Sequence, residues 1–240
     1  MREGMKKMMM HRAGVTVGVV AAAILAGGAP ARAQNVSHGS VDAGVLYSFQ
    51  GGATPPTTDP SFPQPGIGGS AFGLTASGTV ALATAVDVGA ELSVPARFDA
   101  IQTSGGTSPF AQIDNQHRDS ILSALVRIHP RSWQSSRVRV DAVGGFSFVW
   151  EDTLQQTEYG APGATAPSSP HGPQVDISRT TKGVMGGVGV EFPLSAHLSV
   201  VPEARFYWIA REDPSDGTPS ALLGLSPFVF RAAATLRVSF

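Results

Sequence analysis

The sequence predicts an all-β fold, in which eight antiparallel strands follow one another up and down around a closed barrel. Three observations support this prediction. Apolar and polar residues alternate along eight segments, long and short connections alternate between these segments, and helical periodicity is weak beyond residue 33. A chain of 240 residues suits one domain. The absence of cysteine excludes a disulfide framework, a thiol nucleophile and a cysteine-based metal site.

Residues 1–33 have the three-part pattern of a secretory signal peptide. A basic start precedes an uncharged run at residues 13–28, and Ala31 and Ala33 place small residues at alternate positions. The run is shorter than the ~20 residues that a membrane-spanning helix needs. We therefore predict a cleavable signal peptide at residues 1–33 and a barrel domain at residues 34–240.

The alternation is clearest in the last segment. Every even-numbered residue from Phe228 to Phe240 is apolar, whereas the odd-numbered side includes Arg231 and Arg237. Because successive side chains of a strand point to opposite faces, one face of this strand is wholly apolar. Ile121 and Leu125 weaken the pattern in the fourth segment. The alternation predicts strands at residues 41–49, 68–82, 86–94, 121–128, 138–151, 184–192, 198–208 and 228–240.

The predicted connections alternate in length. An even strand number with this alternation is typical of barrels that have short turns at one end and long loops at the other. The predicted long loops are residues 51–66, 99–117 and 154–174, the short turns are residues 83–85, 130–136 and 193–197, and residues 212–219 form a loop of moderate length.

Alternation alone fits both a soluble barrel with an apolar lumen and a transmembrane barrel with lipid outside. We favour the transmembrane barrel, because the apolar face has no charged residue across the predicted strands and its aromatic residues gather near the strand ends. Aromatic rings of this kind collect at the two membrane interfaces. The predicted aromatic belts contain Tyr47, Phe49, Phe148, Trp150, Phe192, Phe206, Trp208, Phe228 and Phe240.

The opposite face carries charged residues into the predicted lumen. Eight strands leave an interior just wide enough for side chains to fill, and an unpaired buried ion costs several kcal/mol. We therefore predict a ladder of contacts between arginines and carboxylates that plugs the lumen. Its predicted members are Asp87, Glu91, Arg127, Arg139, Asp141, Glu191, Glu203, Arg205, Arg231 and Arg237.

The signal peptide, the eight strands, the loop asymmetry and the ending Leu236-Arg237-Val238-Ser239-Phe240 together resemble small OmpA/OmpX-type outer-membrane β-barrels. The resemblance implies a bacterial outer membrane location. It also implies that the barrel-assembly machinery recognises Leu236, Val238 and Phe240. Outer-membrane lipid and lipopolysaccharide are the expected surroundings, and a monomer is expected. A formal net charge of -1 without a basic stripe argues against a nucleic-acid partner.

We expect a structural or surface-interaction role, with no catalytic residue, cofactor or metal. One alternative is a narrow pore or a conduit for hydrophobic ligands. The other is a lipid A-modifying enzyme, which needs a serine, a histidine and a carboxylate within reach of one another. His38 with Ser40 and His197 with Ser199 both lie near the short-turn end, away from lipid A in the outer leaflet. His117 is predicted to be isolated in a loop.

Overall fold

The computed structural model describes residues 39–52, 67–104, 109–133, 135, 137–162, 174–211 and 225–240. The predicted signal peptide and its boundary with the barrel domain lie outside the described residues. Among the residues described, no helix is long and apolar enough to cross a membrane. The strands are β1 (Gly39–Gly52), β2 (Gly69–Ala83), β3 (Val86–Pro95), β4 (Phe98–Ser104), β5 (Pro109–Ile128), β6 (Arg139–Pro162), β7 (Gln174–Pro193), β8 (Leu198–Ala210) and β9 (Leu225–Ser239). A single 3₁₀ turn, Arg131–Trp133, lies between β5 and β6.

These strands close into one antiparallel barrel. β5 pairs with β6, β6 with β7, β7 with β8, and β8 with β9. The last strand, β9, pairs with β1, which pairs with β2, and β2 pairs with β3. Both β3 and β4 pair with β5, at successive positions along it. They therefore form a single wall strand that is interrupted at Ala96 and Arg97, and the barrel has the eight wall strands that the sequence predicts. The predicted fold class is confirmed.

The pairing brings the first and last described residues of the barrel together. The Phe240 amide donates to the Gly39 carbonyl at 3.1 Å, and the Gly39 amide donates to the Phe240 carbonyl at 3.2 Å. This closure leaves no free strand edge between β1 and β9. In hydrocarbon every backbone N–H and C=O group needs a partner within the protein, so a free edge would be costly.

The apolar face points outward, as predicted. Phe72, Leu74 and Leu82 have exposed fractions of 73%, 67% and 71%, whereas Arg127 is 2% exposed and Glu203 9%. In water this arrangement would be unfavourable, because large apolar side chains would be hydrated and charges desolvated. Hydrocarbon around the barrel removes the first cost, and ion pairs in the lumen offset the second.

The barrel has two distinct ends. One end carries the short turns, and we call it the inner end. There, Thr84 and Ala85 join β2 to β3, and residues 194–197 join β7 to β8. The remaining parts of the predicted longer loops, residues 53–66, 105–108, 163–173 and 212–219, lie outside the described residues. We call the end opposite the short turns the outer end.

The predicted loop at residues 99–117 is wrong for most of its length. β4 and β5 form a hairpin in which Phe98 lies opposite His117 and Ser104 opposite Ala111. Similarly, β6 continues to Pro162 and β7 begins at Gln174, inside the predicted loop at residues 154–174. These strand ends lie beyond the outer aromatic residues, where polar residues occur on both faces of the strands. The apolar alternation therefore stops although the backbone pairing continues.

Candidate functional site

The lumen is the candidate site, and Arg237 is the centre of its inner end. From β9, its Nε lies 2.9 Å from Oδ1 of Asp42, and its Nη1 lies 2.9 Å from Oδ2 of Asp141 and 2.8 Å from Oε2 of Glu191. A longer contact of 3.6 Å joins Nη2 to Oε1 of Glu203. One guanidinium thus connects β9 to carboxylates on β1, β6, β7 and β8.

Arg127 crosses the lumen to the same group. Its Nη2 on β5 lies 2.7 Å from Oδ2 of Asp42 on β1, a strand that does not neighbour β5. Its Nη1 donates to the Ser40 hydroxyl at 3.4 Å, and Ser77 on β2 donates to Asp42 at 3.0 Å. Opposite walls of the barrel are therefore tied together by charged hydrogen bonds. We call this group the inner cluster; it consists of Asp42, Arg127, Asp141, Glu191, Glu203 and Arg237.

A second set of contacts continues outward from the inner cluster. Arg205 Nη2 lies 2.8 Å from Oε2 of Glu203, and Arg205 Nε lies 3.5 Å from Oε2 of Glu91. The Tyr207 hydroxyl donates to Glu91 at 2.9 Å across the lumen from β8 to β3. Glu91 and Glu203 therefore share one arginine.

Arg231 departs from the predicted ladder. It is 2% exposed, yet among the described residues no carboxylate side chain pairs with it. Its donors instead reach the Ser48 hydroxyl, the Ser93 hydroxyl and the Asp119 carbonyl, and its Cζ lies 5.3 Å from the centre of the Tyr207 ring. Neutral acceptors and the π-face of the ring thus satisfy this cation.

Apolar residues fill much of the remaining lumen, which the sequence analysis did not predict. They project inward from β5 to β9, whereas the buried residues of β2 include the polar Thr75, Ser77 and Thr79. The broken alternation at Ile121 and Leu125 was the feature of the sequence that could have indicated apolar residues in the lumen. The apolar layer consists of Ile121, Leu125, Val143, Val149, Met185, Tyr207, Ile209 and Val229.

A separate charged group lies in the outer part of the lumen. Arg211 Nη2 lies 2.9 Å from Oδ2 of Asp119, and its Nη1 lies 2.7 Å from Oε1 of Glu151. Arg179 forms a second ion pair with Glu151, and His117 Nε2 lies 2.8 Å from Oδ1 of Asp119. We call these five residues the outer cluster. None of them was among the predicted members of the ladder, because all five fall at or beyond the predicted strand ends.

Two predicted members of the ladder lie at the inner mouth of the lumen. The Arg139 side chain is 53% exposed, and its Nη1 lies 3.5 Å from Oε1 of Glu191. Asp87 faces His129, with 3.9 Å between Oδ2 and Nδ1, and no arginine among the described residues pairs with it. The structure places the other eight predicted residues in the buried lumen: Glu91, Arg127, Asp141, Glu191, Glu203, Arg205, Arg231 and Arg237.

His117 is not isolated in a loop, since it lies on β5 with an exposed fraction of 0%. Its Nδ1 lies 2.7 Å from the hydroxyl of Thr153, its cross-strand neighbour on β6. With Asp119 this gives the order hydroxyl, imidazole, carboxylate that nucleophilic enzymes use. However, Thr153 is 2% exposed and Asp119 also pairs with Arg211, so the chain of hydrogen bonds joins two strands rather than facing a substrate.

The histidine–serine pairs of the sequence analysis do not form a site either. His197 Nδ1 lies 3.0 Å from the Ser239 carbonyl oxygen, whereas Ser199 donates to Glu191 at 2.7 Å. His38 lies outside the described residues. Within the described part of the chain, no three histidine, aspartate or glutamate side chains are grouped as metal ligands.

The outward face carries the predicted aromatic residues. The rings of Phe206 and Phe228 stack with their centres 5.3 Å apart, and Tyr47 packs against Phe72 at 5.2 Å. The residues proposed as the assembly signal, Leu236, Val238 and Phe240, also face outward. All nine predicted belt residues are exposed: Tyr47, Phe49, Phe148, Trp150, Phe192, Phe206, Trp208, Phe228 and Phe240.

The closed barrel with its outward apolar face agrees with the protein family that the sequence matches. The profile of the outer membrane protein beta-barrel domain matches residues 19–226. The chain belongs to this family. It is therefore a bacterial outer membrane protein, with hydrocarbon against its Val, Leu and Phe face. No curated protein sequence matches it.

The solved structures that match this chain share little sequence with it. A major outer membrane protein from Thermus thermophilus is 15% identical over 84% of this chain and 99% of its own, with a TM-score of 0.47. Neisserial surface protein A is 10% identical over 84% and 97% of the two chains, with a TM-score of 0.44. The attachment invasion locus protein of Yersinia pestis is 10% identical over 85% and 99%, with a TM-score of 0.42.

Proposed function

We propose that the protein is a non-enzymatic structural barrel of the outer membrane, whose lumen is closed by its own side chains. The outer ends of its long strands form a surface for contacts outside the cell. The observation that supports a closed lumen is the inner cluster. Arg237 and Arg127, with 4% and 2% exposure, bond to carboxylates on strands across the barrel.

An ion that passed this cluster would have to separate these pairs. Removing one partner of a buried pair leaves an uncompensated charge, which costs about 3–5 kcal/mol. The contacts of Arg237 on four other strands would have to change together. Thermal opening of the cluster is therefore expected to be rare.

The apolar layer narrows the lumen on the side of β5 to β9. Ile121, Val149 and Ile209 are 0% exposed. However, Ser123 and Ser147 bond to each other among these residues, and the Tyr207 hydroxyl donates to Glu91, so the layer is not a continuous apolar constriction. The inner cluster is therefore the main barrier in this proposal.

A surface role is supported by the length of the outer strands. From Trp150 in the outer aromatic belt, β6 continues to Pro162, about 40 Å along the strand. It pairs there with β5 and β7, and β4 pairs with β5, so a four-stranded sheet extends past the belt. A sheet in this position is available to partners at the cell surface.

Single-channel recording in planar bilayers tests the closed lumen. We expect the full-length protein, reconstituted and shown to be folded by its heat-modifiable gel migration, to give no resolved current steps. The double variant Arg127→Ala/Arg237→Ala removes both crossing arginines and is expected to leak. Arg137→Ala, which alters an exposed arginine at the inner end, is the matched control and is expected to stay silent.

Well-resolved current steps from the unmodified protein would contradict the closed lumen and would favour the alternative of a narrow pore. A leaking double variant beside a silent control would identify the inner cluster as the barrier. If the double variant is folded and silent, the inner cluster is not the main barrier.

A further inference from the structure

A charged group on the outward face has no part in the closed lumen. Arg118 on β5 lies directly opposite Asp152 on β6, and Arg97 comes just before Phe98, which lies opposite His117. Nη2 of Arg97 lies 2.6 Å from Oδ2 of Asp152, and Nη2 of Arg118 lies 2.8 Å from the same oxygen. We call these three residues the outward clamp.

The outward clamp lies just beyond the outer aromatic belt. Trp150 is two residues nearer the barrel middle on the same face of β6, and it is exposed. Residues on the same strand that alternate with Asp152, namely Glu151 and Thr153, face the lumen. Because Trp side chains mark the interface between hydrocarbon and headgroups, the clamp lies at the height of the outer-leaflet headgroups.

The charge of the clamp is not balanced. Two guanidinium groups share one carboxylate, which leaves an excess of one positive charge. The side chain of Asp152 is 11% exposed, whereas those of Arg97 and Arg118 are 28% and 30% exposed. The carboxylate is therefore covered by the two arginines and positions them, while the guanidinium groups face the surroundings of the barrel.

We infer that the outward clamp binds a phosphate group of an outer-leaflet glycolipid, as carried by lipid A. Guanidinium groups bind phosphate through paired, charge-assisted hydrogen bonds, and a fixed orientation reduces the entropy lost on binding. A single excess charge is weak attraction for a free anion. A lipid, however, is held at this height by its acyl chains, so the membrane supplies the phosphate at high local concentration.

Native mass spectrometry of the full-length protein in detergent, with bisphosphorylated lipid A as the probe, tests this inference. We expect one lipid A to be retained by the unmodified barrel. Each loss of a charge-assisted hydrogen bond weakens binding roughly tenfold, so Arg97→Gln/Arg118→Gln is expected to bind about a hundredfold more weakly. Arg137→Gln removes one positive charge at the inner end and is expected to bind as the unmodified protein does.

Equal retention of lipid A by the double variant and by Arg137→Gln, with both folded by gel migration, would overturn the inference. Two further probes use the unmodified protein, so they do not depend on the folding of a variant. Lipid A without phosphate is expected to bind at least tenfold more weakly, and equal binding would overturn the inference. Inorganic phosphate is expected not to displace lipid A; displacement would show a site for a free anion instead. These outcomes are independent of whether the lumen conducts.

Discussion

The inner and outer clusters bury similar charges but distribute their contacts differently. In the inner cluster, Arg237 alone contacts four carboxylates. In the outer cluster, Arg211 bridges Asp119 and Glu151, and each of these has a second partner, His117 or Arg179. Burial alone therefore does not predict how much one arginine contributes to the free energy of unfolding. That contribution depends on the number of carboxylates that its removal would leave unpaired.

The largest expected effect comes from Arg237→Ala. The substitution leaves Asp141 with only a 3.8 Å contact to Arg127, and deprives Asp42, Glu191 and Glu203 of a partner. We expect the free energy of unfolding to fall by about 3–5 kcal/mol. Urea titration in detergent micelles, followed by the shift between folded and unfolded gel bands, measures this change. A loss below about 1 kcal/mol would mean that Arg127 alone satisfies the cluster.

A smaller effect is expected for Arg211→Gln in the outer cluster. Both carboxylates keep a second partner, so the loss is that of one charge-assisted hydrogen bond to Asp119 and one ion pair with Glu151, about 1–3 kcal/mol. The same urea titration measures it, with Arg137→Gln as the exposed control. If this loss equals that of Arg237→Ala, the distinction between the clusters is wrong.

The smallest effect is expected for Arg139→Ala. The sequence pattern predicts Arg139 as a member of the buried ladder, where its removal would leave a carboxylate unpaired. In the structure its side chain is 53% exposed, and Glu191 keeps Arg237 and Ser199 as partners. We expect a change of about 0–1 kcal/mol, which decreases further at high salt. Titrations at low and high salt check this, and a large loss independent of salt would argue for a buried role.

The difference between the membrane-spanning and outer parts of a strand explains where the sequence pattern predicts the strand correctly. In the membrane-spanning part of β6, Phe148 and Trp150 face outward while Asp141 faces inward, and the alternation predicts the strand correctly. From Thr153 onward both faces meet a polar environment, so the alternation disappears and the strand was predicted as a loop. The pattern reports the solvent on each face and not the backbone pairing itself.

Lumen partners were harder to predict than lumen positions. The period of two places Arg231 inside correctly, but it does not show that neutral acceptors and the Tyr207 ring surround it. Likewise, Arg118 and Asp152 fall just outside the predicted strands, and only the register of β5 on β6 places them opposite each other. These contacts join residues far apart in the chain, and a local pattern contains no information on them.

The sequence by itself determined the fold class, the outward direction of the apolar face and the inward direction of most of the charges, because each depends only on which side of a strand a residue occupies. Tertiary structure decided which charges meet, how far the strands extend and which cation lacks a carboxylate. Those features depend on closure and register, because residues far apart in the chain meet only once each strand is paired at one defined position with its neighbours.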